Sequence, residues 1–278
     1  METKEKLNNL RAFIKKLNNA IIAYSGGIDS TLVARICRDE LGEKAIAVTA
    51  TSPSYPKYEL EQAKKIAKKI GIEHLIIETH EIKNEQYLKN KSNRCYFCKT
   101  TLYSELEKIA KELNYENILN GINVDDLGDF RPGIKAAKEY RVISPLKEVG
   151  LTKKDIIEIA EHLGLPNWNK PASPCLSSRV PYGIMITPEI LEKIEKAEGV
   201  LRDLGLMQFR VRYHKEIARI EVEKKDFEVV LANADLINKK FRDIGFAYTC
   251  LDLRGFKSGR LNEINGVFDE KQEKEIAL

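Results

Sequence analysis

The stretch 20–36, AIIAYSGGIDSTLVARI, decides how the chain is read. An apolar run ends at Tyr24, Ser25-Gly26-Gly27 makes a tight turn, and Asp29-Ser30 opens a segment with apolar residues at helical spacing. A buried strand feeding a helix through two glycines lets the backbone approach a ligand closely. The N–H groups of the helix start, with the hydroxyls of Ser25 and Ser30, can then hold phosphate oxygens. Neither GxxxxGK[ST] nor GxGxxG occurs in the chain, so the two familiar nucleotide loops that those patterns mark are excluded. A strand-to-helix turn with glycines for geometry alone is the bland alternative.

Outward from this turn, strand-like and helical segments alternate up to about residue 165. AIIAYS, AIAVTA, HLIIET, NILNGI and RVISP read as strands, and 29–41, 57–70, 99–113, 132–139 and 152–163 as helices. That order predicts an α/β fold with a parallel, doubly wound sheet. Thr152 followed by Asp155 starts the last helix in the manner of a capping box, and Gly71 ends the second. Between Pro166 and Pro181 four prolines fall within sixteen residues, which marks a connector. Beyond it the pattern changes to a helix near 187–204, strands near 208–213 and 217–223, helical stretches across 225–243 and a strand near 246–253, a smaller α+β domain. The expected division is a nucleotide domain over 1–168, a connector carrying Cys175 over 169–182, and a C-terminal substrate or oligomerisation domain over 183–278. The lysine-rich tail after Asp269 reads as a solvated helix end.

With 278 residues, 43% hydrophobic and 32% charged, the chain is long enough for one large or two smaller cores. A net charge of +4 from 46 basic and 42 acidic side chains does not announce a nucleic-acid partner. No run approaches the roughly 18 apolar residues of a membrane span, and METKEKLNNL lacks the features of a signal peptide, so a cytoplasmic protein is expected. Five cysteines without a secretory signal argue against a disulfide framework and for metal or redox chemistry.

Cys95 and Cys98 form RCYFCK, a CxxC expected in a loop just before a helix. By itself the pair fits structural zinc, a cluster, a redox couple or two unrelated thiols. There is no second CxxC and no histidine at finger-like spacing. A third loop cysteine, Cys175, sits in PASPCLSSR, too poor in apolar residues to be core. Cys37 and Cys250 fall in apolar periodic segments and are expected as small core residues.

The SGGxDS pattern after a first strand resembles the PP-loop ATP pyrophosphatases, which cleave ATP between its α- and β-phosphates, retain pyrophosphate in this loop and adenylate a substrate. NGINVDDLGDFRPG is similar to that superfamily's second site, with Asp125 and Asp126 as candidate carboxylates. Taken with RCYFCK, SPCLSSRVPYG and a late LDLRGFKSG, the order of motifs from about Ala20 to Gly259 resembles the LarE family of ATP-dependent sulfur transferases. Members sulfurate the carboxylates of a pyridinium dicarboxylate mononucleotide, giving the thiocarboxylates that bind nickel in the cofactor of lactate racemase. Some members have only the cysteine matching Cys175 and sacrifice its sulfur. The presence of Cys95 and Cys98 resembles the three-cysteine branch, which carries an iron–sulfur cluster.

The resemblance implies pyrophosphate binding by Ser25, Gly26, Gly27, Asp29 and Ser30, and Mg²⁺ held by phosphates with Asp29 or Asp126. It implies a [4Fe–4S] cluster on Cys95, Cys98 and Cys175. Three thiolates leave one iron without a protein ligand, where an exogenous sulfide can bind. Lys99, matching a lysine of the family motif, is expected to stabilise phosphate or the attacked carboxylate, and Ser178 and Arg179 to lie near the cysteine. In FRVRYHK, strand alternation puts Arg210, Arg212 and His214 on one face. Arg210 and Arg212 can fork a phosphate, and the resemblance implies that of the acceptor mononucleotide; a solvated strand face is the alternative. The expected partners are that mononucleotide, a sulfide or other sulfur donor, and further copies of the chain in a homo-oligomer. Rival readings are a tRNA thiolase, an ammonia-using ligase similar to NAD or GMP synthetases, and a nucleotide-sensing binding protein without turnover.

Overall fold

The computed structural model describes residues 3–128 and 132–257. It divides into two compact units, Met1–Ser173 and Pro174–Leu278. The first runs α1 (Thr3–Lys15), β1 (Ala20–Ala23), α2 (Ile28–Leu41), β2 (Ala45–Thr51), α3 (Lys57–Ile70), β3 (Glu73–Glu78), the single turn α4 (Glu85–Leu88), α5 (Arg94–Leu113), β4 (Ile118–Leu119), α6 (Gly133–Glu139), the single turn α7 (Pro145–Glu148) and α8 (Lys153–His162). Its four strands are parallel in the order β3-β2-β1-β4. Side-chain alternation sends Ala20, Ile22, Ala45 and Ala47 to a core with α1, α2, α3 and α8, while Ile21, Ile46 and Val48 meet Tyr103, Leu106 and Ala136 from α5 and α6. Both faces are therefore covered, as a parallel sheet requires.

The expected boundaries at Thr152 and Gly71 hold. Thr152 and Asp155 form a reciprocal capping box, and Gly71 closes α3 in the left-handed conformation at φ 74°. RVISP is not a strand: within it only Ile143 bridges Leu119, because the chain turns directly into α7. Helix α5 begins at Arg94, so the CxxC lies in its first turn, not in a preceding loop. Its spacing of three residues fits one helical face.

The second unit runs α9 (Pro188–Asp203), β5 (Phe209–His214), β6 (Ile217–Val222), α10 (Phe227–Ala232), α11 (Ala234–Ile244) and β7 (Tyr248–Leu251). β6 pairs antiparallel with β5 and parallel with β7. Val211, Ala218, Ile220 and Val222 form its core with Ala197 and Leu201 of α9 and Ile237 and Phe241 of α11. This is the smaller α+β arrangement. Cys37 is buried as expected, whereas Cys250 is exposed: strand β7 alternates, and Thr249 and Leu251 are the less exposed residues. Asp129, Arg131, the end of LDLRGFKSG and the tail after Asp269 lie outside the described residues. Among the described residues, no helix is long and apolar enough to cross a membrane.

Candidate active site

Strand order reverses between β1 and β4, and in open parallel sheets ligands bind beyond the carboxyl ends of strands at such a point. The two loops that leave those strand ends carry the candidate nucleotide residues. Gly26 adopts φ 66°, and a Cβ there would lie 2.8 Å from the Ala63 Cβ. Gly27, by contrast, has φ −75° and room for a side chain, with only Ser25 Oγ within contact distance. The Ser25 and Ser30 hydroxyls are 3.2 Å apart, Ser30 Oγ donates to Gly27 O at 3.1 Å, and Ser25 N donates to Ser30 Oγ at 3.2 Å. These bonds hold the turn open at the start of α2, where the helix dipole favours an anion.

The loop after β4 presses against that turn. A Cβ on Gly121 would stand 2.8 Å from Ser30 N, so only glycine allows this approach. Asn123 Nδ2 donates to Asp29 Oδ1 at 3.2 Å, and Asn123 N donates to Asp126 Oδ2 at 3.0 Å. Lys153 Nζ reaches both Asp29 oxygens, at 2.8 and 2.7 Å, and its N–H bonds Asp125 Oδ2 at 2.7 Å. Ser25, Gly26, Gly27, Asp29 and Ser30 thus form the turn and helix start after β1, and Asn123 links Asp29 to Asp126. Asn123, Lys153 and Asn167 were missed by sequence reading. Asn123 lies inside a quoted motif, but nothing local marks Lys153, 124 residues from Asp29, as its counter-ion.

Cys95, Cys98 and Lys99 share the opening turns of α5, where Cys95 is exposed and Cys98 half-buried. Lys99 Nζ lies 5.9 Å from the centre of the Tyr103 ring, and a Cβ on Gly133 would meet Lys99 Cγ at 3.0 Å. All five cysteines are thiols. Among the described residues, no three His, Cys, Asp or Glu side chains are grouped to hold a metal ion. Both thiols stand at the N-terminal end of α5.

In the second unit Cys175 precedes a 3-10 turn, Leu176–Arg179, whose residues are mostly buried. Arg179 is 1% exposed and forms a forked ion pair with Glu198, Nε to Oε1 at 2.8 Å and NH2 to Oε2 at 3.0 Å. Its remaining arm donates to Pro174 O at 2.5 Å, Cys175 O at 3.1 Å and Ser178 Oγ at 3.0 Å. The guanidinium grips the backbone around the cysteine. Arg212 is not on a solvated face: its Nε and NH2 both donate to Oε2 of buried Glu221, at 3.0 and 2.9 Å, and its NH1 donates to Ser178 O at 2.7 Å. Arg210, also buried, lies 5.0 Å from the Phe256 ring centre. Burial, with the positive charge of Arg179 and Arg212, pushes its pKa down to about 10 against the pull of Glu198 and Glu221. Among the described residues, buried Arg179, Arg210 and Arg212 are thus grouped with buried Glu198 and Glu221.

Comparisons with known proteins show the family. Residues 3–110 match the NAD synthase family model. The pyridinium-3,5-bisthiocarboxylic acid mononucleotide synthase of Lactiplantibacillus plantarum is 38% identical over 93% of this chain and 94% of its own. The chain belongs to the LarE family of ATP-dependent sulfur transferases. Other relatives are the uncharacterized protein slr1717 of Synechocystis, 48% identical over 93% of this chain and 97% of its own, and the argininosuccinate synthase of Methanocaldococcus jannaschii, 26% identical over 53% and 40%. The LarE-like length of the match takes in both units, whereas the NAD synthase model stops within α5.

Proposed function

We propose that the chain adenylates a carboxylate of pyridinium-3,5-biscarboxylic acid mononucleotide and replaces it with a thiocarboxylate, a step toward the nickel-pincer nucleotide. A carboxylate oxygen attacks the α-phosphorus of ATP, the bond to the β-phosphate oxygen breaks, and pyrophosphate leaves into the turn of Ser25 to Ser30. A sulfide nucleophile then attacks the activated carbonyl carbon, and AMP departs with the electron pair of the C–O bond. Adenylation comes first because a carboxylate oxygen is otherwise a poor leaving group. Preorganised N–H groups at the start of α2 stabilise the developing charge. Mg²⁺ would sit on the phosphates and Asp29 or Asp126, with Lys153 neutralising Asp29 in its absence. Arg210 takes the acceptor's phosphate, and Lys99 assists at the phosphate or the attacked carboxylate.

Cys95, Cys98 and Cys175 would hold the [4Fe–4S] cluster, which would supply a renewable sulfide to the acceptor. The observation that carries the reading is the turn after β1, packed against Gly121 and open on the Gly27 side, in a chain that matches the L. plantarum synthase along nearly its whole length. A second reading, in which Cys175 gives up its own sulfur, is favoured by the half-buried Cys175 thiol standing on a backbone that Arg179 holds at Pro174 O and Cys175 O. The test is incubation with ATP, the dicarboxylate mononucleotide and sulfide, with AMP, pyrophosphate and thiolated product measured together. Absence of AMP and pyrophosphate with this acceptor would sink the proposal.

A further inference from the structure

Asn167 stands near the end of the first unit, 3% exposed, in no motif that marks the nucleotide site. Its Nδ2 donates to Gly26 O and to Thr31 Oγ1, both at 3.0 Å. Gly26 O can only accept, which fixes the amide with nitrogen toward the turn. Among the described residues its Oδ1, which is buried, has no hydrogen-bond partner. The side chain therefore spends both donors on the turn and leaves its acceptor unsatisfied, an arrangement that packing alone would not favour over an apolar residue of the same shape.

We infer that Asn167 is a positioning residue that aims the Gly27 N–H at the pyrophosphate. In a trans peptide the C=O and N–H of one plane point in opposite directions. Anchoring Gly26 O thus fixes the direction of Gly27 N–H, whose own bond within the protein is a long 3.5 Å contact to Ser25 Oγ. Gly26, at φ 66°, has no side chain whose packing could set that plane. The second donor ties Thr31, in the first turn of α2, to the same amide, so turn and helix start move together. The backbone of the anchoring segment is itself held, by Lys170 N to Asn167 O at 3.1 Å and by the ion pair of Lys170 with buried Glu59.

This inference rests on the turn being the pyrophosphate site. Binding of magnesium-ATP, pyrophosphate and AMP is measured by calorimetry on the full chain, wild type, Asn167→Leu and Asn167→Asp, together with melting temperature. Wild type that binds neither ATP nor pyrophosphate overturns the site itself. With wild-type binding intact, Asn167→Leu is expected to weaken ATP and pyrophosphate by about tenfold or more while AMP changes less than about threefold. Asn167→Asp, which sets a carboxylate against Gly26 O, should weaken both phosphate ligands at least as much. Unchanged ATP binding in Asn167→Leu, or an equal loss of ATP and AMP, overturns the inference. If Asn167→Leu does not fold, Asn167→Asp is judged by the same ratio; if neither folds, Asn167 is a folding residue and the positioning role is wrong.

Discussion

Gly26 and Gly27 are neighbours with different reasons for having no side chain. Gly26 is demanded by the fold, through its positive φ and the Ala63 Cβ only 2.8 Å from where its own would be, whereas the fold leaves space at Gly27. Gly26→Ala is therefore expected to lower stability by about 1–3 kcal/mol. Gly27→Val should leave the melting temperature nearly unchanged and abolish ATP binding; the pair of measurements checks both. The strand arginines divide in the same way. Arg212→Ala strips both donors from Oε2 of Glu221, which is fully buried, and should cost about 3 kcal/mol, moderated because Arg219 reaches the other oxygen, Oε1, at 3.0 Å. Arg210→Ala should weaken acceptor binding by about one to two orders of magnitude with ATP affinity intact. Equal losses for acceptor and ATP in Arg210→Ala would count against a phosphate role.

The elements explain why some boundaries were legible and others were not. A capping box and a glycine stop are local chemistry, so α8 and α3 end where the sequence places them. The start of α5 lies earlier than the sequence suggests because RCYFCK has no capping signal of its own; Asn93 at its N-cap makes no side-chain capping bond. Strand β3 carries a titratable group whose partner lies on the neighbouring strand. His74 meets the Thr49 hydroxyl of β2 at 2.7 Å, and burial, then Lys64, lowers its pKa below the ordinary histidine value. The folded state binds this proton less readily than the unfolded chain, so its contribution is complete above pH 6.5 and is lost as pH falls through the depressed folded value. Thermal melts across about pH 7 to 5 should show falling stability in wild type and a shallower fall in His74→Gln. Parallel curves would exclude His74 as the source.

At the scale of the molecule the cysteines are shared out: Cys95 and Cys98 in the first unit, Cys175 in the second. Under the proposed chemistry, adenylation belongs to the turn after β1 and sulfur delivery to the three cysteines. Cys95→Ala, Cys98→Ala and Cys175→Ala should each abolish thiolated product while AMP and pyrophosphate release persists. Iron and sulfide content after anaerobic reconstitution should fall in all three. Full product formation by Cys95→Ala, with one sulfur lost from the protein mass after turnover, would establish the sacrificial route instead.

The sequence by itself carried the alternation of strand and helix periods that builds a doubly wound sheet, and also the SGGxDS turn and the order of motifs through which the chain resembles its family. It did not reach the partners of that chemistry. Lys153 on Asp29, Asn167 on Gly26, Glu198 on Arg179 and Glu221 on Arg212 are pairings between residues 9 to 141 positions apart. Only the tertiary structure decides them, because a buried charge or amide must find its partner wherever packing brings one, and that distance leaves no trace in local spacing.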